Sequence, residues 1–67
     1  MITVFVNGAA QPVPAGRLLS ELVDAHTRSR SGVAVAVDGE VVPRAAWSGH
    51  LLTEGAKIEI LTAVQGG

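Results

Sequence analysis

The sequence contains no cysteine and no tyrosine, and its only aromatic residues are one tryptophan and one phenylalanine among 67 residues. Without cysteine, disulfide bonds, thiolate metal sites and a cysteine nucleophile are excluded. A small domain without such cross-links depends on its apolar core for stability. The hydrophobic content of 48% can supply that core, and it argues against intrinsic disorder.

Charged residues are also few, with five basic and six acidic side chains and a net charge of −1. The chain has no basic patch of the kind that binds nucleic acid, and no charge block suited to a membrane surface. No apolar run approaches the length of a transmembrane helix, and the N-terminus lacks the pattern of a signal peptide. We therefore expect a cytoplasmic protein that binds neither nucleic acid nor membranes.

The first residues predict a β-hairpin. Apolar residues alternate over residues 2–6, which is the period of a β-strand. Asn7-Gly8 follows directly and is a strong hairpin signal, because both residues tolerate positive φ. Residues 9–13 then predict the returning strand. Pro12 has no N–H to donate, so this strand is expected at a sheet edge.

A helix is predicted over residues 17–28, where the apolar period changes from two to 3.6. Its apolar face carries side chains at the spacing i, i+3, i+4 and i+7, namely Leu19, Leu22, Val23 and His26. No strong N-cap residue precedes the helix, so the sequence leaves its start open.

The second half of the chain predicts three more strands and one helical turn. The strands are expected at residues 33–37, 40–42 and 57–64, and the turn at 44–47. The simplest packing lays one helix across one face of a mixed sheet of four or five strands, which is an α+β arrangement. With the first and last strands as central neighbours, this is the β-grasp, or ubiquitin-like, fold. We expect a domain over residues 1–64 and a flexible tail over residues 65–67.

The tail is the chemical feature of the sequence. Gln65, Gly66 and Gly67, when extended, reach roughly 10 Å beyond the last strand. Glycine has no Cβ, so such a tail can thread a narrow channel and deliver the terminal carboxylate of Gly67. A carboxylate becomes reactive as an acyl-adenylate, and the chain has no phosphate-binding loop, so another enzyme must supply the nucleotide site. By itself a terminal Gly-Gly is a weak signal, because ordinary frayed chain ends are often rich in small residues.

Three segments carry a resemblance to a known family. They are Asn7-Gly8 after the opening strand, VAVAVDGEVVPRAAW at residues 33–47, and KIEILTAVQGG at residues 57–67. Together they make the chain similar to the sulfur carrier proteins of thiamine biosynthesis (ThiS), small β-grasp proteins that end in Gly-Gly. Many relatives have glycine where this chain has Gln65, a side chain that must fit the channel of each partner.

The resemblance implies a protein cosubstrate, not an enzyme, and no bound cofactor. An adenylating enzyme of the ubiquitin-activating type would use ATP with Mg²⁺ to adenylate Gly67. A sulfur donor such as a cysteine desulfurase would lead to a thiocarboxylate. Thiazole synthase would then accept the sulfur for the thiazole of thiamine.

An apolar patch is predicted on the open face of the sheet. Phe5, Leu61 and Ala63 all alternate out of the core-facing positions of their strands. If those strands are neighbours, the three side chains lie together near the tail, where a patch can mark a docking site. Single exposed apolar residues are also ordinary on protein surfaces, so both interpretations stand.

Three other functions remain compatible with parts of the sequence. The molybdopterin-synthase small subunit uses the same tail chemistry, although the segment at residues 33–47 argues against it. A ubiquitin-like modifier would link Gly67 to lysine, and a plain interaction domain would have an inert tail.

His26, at the core edge of the helix, and His50, in a loop, have no nearby ligand cluster and do not indicate a metal site. Trp47 is expected to anchor its loop to the core.

Overall fold

The computed structural model describes residues 1–28 and 32–62, and these form a two-layer α+β domain. The elements in chain order are β1 (Ile2–Val6), β2 (Ala9–Val13), α1 (Leu19–His26), β3 (Val33–Val37), β4 (Glu40–Val41), a 3₁₀ helix (Arg44–Gly49) and β5 (Lys57–Thr62). The strands of this described part form one five-stranded sheet in the order β2-β1-β5-β3-β4. The predicted α+β class and the central pairing of the first and last strands are confirmed.

The sheet is mixed. Strands β1 and β5 run parallel, with Phe5 opposite Lys57, and the other neighbouring strands are antiparallel. Strand β2, which contains Pro12, lies at one edge as predicted. The last strand in sequence, β5, therefore occupies the centre of the sheet.

Both tight turns adopt the conformation that their sequences predict. Asn7 and Gly8 have φ values of 50° and 87°, and Asp38 and Gly39 have values of 51° and 86°. Positive φ at both central residues matches the twist of the flanking strands. These two turns set the register of the β1–β2 and β3–β4 hairpins.

Helix α1 is shorter than the sequence predicted, spanning Leu19–His26 instead of residues 17–28. Leu18 has extended backbone and cannot cap the helix with its side chain, but its N–H donates to Glu21 Oε1 at 2.9 Å. The helix ends because Thr27, a β-branched residue, is extended with φ of −144°. The helix start thus has only the second half of a capping box, the bond from the Leu18 N–H back to the Glu21 carboxylate, and no side-chain N-cap.

The core lies between α1 and the inner face of the sheet. Leu19, Leu22 and Val23 of the helix are buried. They join one cluster of buried side chains from the sheet and the following loops, namely Val4, Val6, Val13, Val35, Val37, Trp47, Leu52, Ala56, Ile58 and Ile60. His26 was predicted at the core edge, and that prediction is wrong: its side chain is exposed and lies 3.2 Å from Gln11 Oε1 on β2.

The segment after β4 packs against the core through one tryptophan. The predicted turn at residues 44–47 is a 3₁₀ helix that continues to Gly49, and β4 ends at Val41, one residue earlier than predicted. Trp47 is 1% exposed, and its indole N–H donates to the carbonyl of Val42 at 2.8 Å. This confirms that Trp47 anchors its loop to the core, as expected.

No helix within residues 1–28 and 32–62 is long and apolar enough to cross a membrane.

Candidate functional site

The candidate site begins at the end of β5, the strand that precedes the predicted tail. Thr62, the last residue of β5, pairs with Val33 on β3. Residues 63–67, which include Ala63 and the predicted tail of Gln65, Gly66 and Gly67, lie outside the described residues. The division into a domain over residues 1–64 and a tail over 65–67 therefore stays a prediction.

Phe5 and Leu61 lie on the face of the sheet that the helix does not cover. Their strand neighbours Val4, Val6 and Ile60 are buried, so alternation directs Phe5 and Leu61 to the opposite face. Phe5 is 37% exposed and Leu61 is 66% exposed. Both line one open groove, which we call the Phe5–Leu61 groove. The structure therefore brings together the two described members of the predicted patch.

The groove lies beside the two glycine turns and carries charge of both signs. Lys57 and Glu59 project from the central strand on the same face as Leu61, because their positions alternate with the buried Ile58 and Ile60. Its full lining is Phe5, Asn7, Gly8, Asp38, Gly39, Lys57, Ile58, Glu59 and Leu61. An apolar pair beside one basic and two acidic side chains gives a partner apolar area to bury and charges that orient it.

Two turn residues hold β5 through their side chains, and sequence analysis did not identify this role. The side chain of Asn7 donates through Nδ2 to the carbonyl of Ile60 at 3.2 Å, and its Oδ1 accepts from the N–H of Ile60 at 2.9 Å. On the other side, Oδ1 of Asp38 accepts from the N–H of Lys57 at 3.0 Å. Asn-Gly and Asp-Gly were visible as turns, but their partners lie 53 and 19 residues away along the chain.

Neither His26 nor His50 lies in a cluster of candidate metal ligands within the described part of the chain. Within residues 1–28 and 32–62, no three or more histidine, aspartate or glutamate side chains are grouped so that they could hold a metal ion. His50 is half-buried, and its backbone carbonyl accepts from the N–H of Leu19 at 2.8 Å. Its role in the fold is therefore to connect the 3₁₀ helix to the start of α1.

One helix laid on a mixed sheet with parallel central strands β1 and β5 defines a β-grasp domain. The profile of the ThiS family matches residues 4–67. The chain therefore belongs to the ThiS family.

Individual relatives match over nearly the whole chain. The sulfur carrier protein ThiS of Escherichia coli (strain K12) is 28% identical over 64 residues, which cover 96% of this chain and 97% of that protein. A crystal structure of the thiamine biosynthesis protein ThiS from Geobacter metallireducens superposes with a TM-score of 0.79 at 28% identity, covering 98% of this chain and all of the other. The solution NMR structure of a thiamine biosynthesis protein from the same organism gives a TM-score of 0.77 at 28% identity, covering 98% of this chain and 88% of the other.

Proposed function

We propose that this chain is a sulfur carrier of thiamine biosynthesis whose working group is the carboxylate of Gly67. The observation that carries the proposal is the family match, which runs from residue 4 to residue 67 and so includes the terminal glycine pair. Support also comes from the fold, which places the strand before the tail at the centre of the sheet. The protein acts as a cosubstrate of other enzymes, and its working compartment is the cytoplasm.

The first chemical step is activation of the tail by an adenylating enzyme of the ubiquitin-activating type. A carboxylate oxygen of Gly67 attacks the α-phosphate of ATP, and pyrophosphate leaves as its magnesium complex. The product is an acyl-adenylate, in which the acyl carbon is electrophilic. The partner stabilises the charge that develops during this step with hydrogen-bond donors placed around the reacting oxygens.

Sulfur enters in the second step. A sulfur nucleophile at the oxidation level of hydrogen sulfide attacks the acyl carbon, AMP leaves, and Gly67 becomes a thiocarboxylate. A cysteine desulfurase is a suitable donor, together with a thiol reductant that returns persulfide sulfur to the sulfide level. Thiazole synthase then accepts this sulfur while it builds the thiazole ring.

The tail and the open sheet face have separate roles in this proposal. Gly66 and Gly67 have no side chains and can enter a narrow channel, whereas Gln65 must be accommodated at its mouth. Phe5 and Leu61, with Ala63 as the third predicted member, form the surface on which partners dock. An exposed apolar surface of this kind favours association because docking removes it from water.

The test is intact-protein mass spectrometry after coexpression with the adenylating enzyme and a sulfur donor. We expect a mass gain equal to one oxygen replaced by one sulfur, mapped by fragmentation to Gly67. A variant that lacks Gly67 is the matched control and should gain no sulfur. An unmodified Gly67, under conditions that convert an established carrier, would contradict the proposal and favour a protein modifier or an inert tail.

A further inference from the structure

We propose that Asn7 is a positioning residue, which fixes the end of β5 so that the tail reaches the adenylating enzyme in a productive orientation. This inference rests on the proposed function. Asn7 lies in the turn between β1 and β2, whereas the tail follows β5 at the other end of the sequence.

The backbone of β1 supports β5 only up to Ile58. The N–H of Asn7 donates to the carbonyl of Ile58 at 2.9 Å, and after this bond the chain turns away into β2. The side chain of Asn7 then supplies the next pair of bonds, donating to the carbonyl of Ile60 and accepting from its N–H. A carboxamide has one acceptor and one donor group, so it can take the place of a peptide group in the ladder.

Asparagine is the residue that meets both requirements of this position. The φ of 50° favours glycine, asparagine and aspartate over other residues. Glycine has no side chain, and an ionised aspartate can accept from the N–H of Ile60 but cannot donate to its carbonyl. The Asn-Gly turn therefore both fixes the register of the β1–β2 hairpin and binds the neighbouring strand β5.

Loss of this contact would leave the end of β5 supported from one side only. Leu61 and Thr62 would still pair with Ala34 and Val33 on β3. On its other edge, β5 would have no hydrogen bond to β1 or to the Asn7 turn beyond Ile58 within the described residues. Because reaction rates depend steeply on the orientation of the reacting group, a looser base for the tail should lower turnover more than binding.

The experiment compares the full-length Asn7→Gly and Asn7→Asp variants with a Glu54→Ala control. Glycine is compatible with the turn, so Asn7→Gly removes the two side-chain bonds without backbone strain. Glu54→Ala also removes a long-range bond from a side chain to the backbone, because the Glu54 carboxylate accepts from the N–H of Thr3 at 3.2 Å. That bond holds the beginning of β1, away from the end of β5. The measurements are kcat and KM for adenylation of Gly67, Kd for the enzyme without ATP, and amide hydrogen exchange at Ile60.

We expect Asn7→Gly to lower kcat about tenfold while KM and Kd change by less than about twofold, because the apolar docking residues Phe5 and Leu61 are unchanged. Exchange at the Ile60 amide should rise about tenfold in Asn7→Gly. The kcat and the Ile60 exchange rate of Asn7→Asp should lie between those of the unsubstituted protein and those of Asn7→Gly. Glu54→Ala should leave kcat and Ile60 exchange unchanged.

Three results would overturn the assignment. An unchanged kcat for Asn7→Gly would show that the bonds do not position the tail. Equal losses of kcat in Asn7→Gly and Glu54→Ala would indicate general loss of stability. A loss confined to Kd would indicate that Asn7 touches the partner directly. Absence of adenylation in the unsubstituted protein would instead overturn the proposed function, and the turnover role of Asn7 with it.

Discussion

Replacing Trp47 with phenylalanine should destabilise the domain by roughly 2 to 3 kcal/mol. Phenylalanine keeps an aromatic ring but loses the indole N–H that donates to Val42 at 2.8 Å, which costs about 1 kcal/mol. The smaller ring also leaves a cavity at a site that is 1% exposed, which costs about 1 to 2 kcal/mol more. For a domain of this size each kcal/mol lowers Tm by roughly 4 to 8 °C, so Tm should fall by about 10 to 20 °C.

The assay is urea unfolding followed by far-ultraviolet circular dichroism, because the substitution removes the only tryptophan and with it the fluorescence signal. Leu51→Ala is the control, since Leu51 is 55% exposed and its truncation should cost less than about 0.5 kcal/mol. A change below about 0.5 kcal/mol for Trp47→Phe would refute the anchoring role, because neither the hydrogen bond nor the packing would then be contributing.

Three further substitutions test the site, the helix start and the first turn. Phe5→Ser should weaken binding to the adenylating enzyme about tenfold in a titration. Leu51→Ser is the control and should not weaken binding, because Leu51 is exposed but lies outside the sheet. Unchanged affinity for Phe5→Ser would contradict the docking role of Phe5. Glu21→Ala should lower the free energy of unfolding by about 1 kcal/mol in urea melts, because the N–H of Leu18 loses its acceptor, and an unaltered midpoint would contradict this. Gly8→Ala should cost about 1 to 2 kcal/mol through its φ of 87° alone, since a Cβ there meets no atom within 4 Å; a neutral effect on Tm would show that the turn can change type.

Local patterns predicted most of the fold because the strands and turns are defined by near neighbours in sequence. The alternation at residues 2–6 and 33–37 and the two glycine turns appear in the structure as expected. Pro12 correctly indicated an edge strand, because a missing N–H is a property of the residue itself.

The errors occurred where tertiary contacts decide the outcome. Helical spacing placed His26 with the apolar residues of α1, but the helix ends at this residue and the side chain lies beside Gln11 on β2. The bonds between Asn7 and Ile60 were not predicted either, because sequence alone does not show which backbone groups lie opposite a turn. The proposal that the tail carries a reactive group depended on resemblance to a family, since a glycine pair alone has no unique chemistry.

The central position of β5 has a consequence for how the protein opens. This strand pairs with β1 on one side and β3 on the other, so its contacts join distant parts of the chain. Such non-local pairing slows folding, because long loops must close before the strand can be placed. It also means that β5 cannot detach without disrupting the core that contains Ile58 and Ile60. We therefore expect the Ile58 amide, unlike that of Ile60 near the end of the strand, to exchange only on global unfolding, so that partial opening at either edge of the sheet leaves the centre of β5 in place.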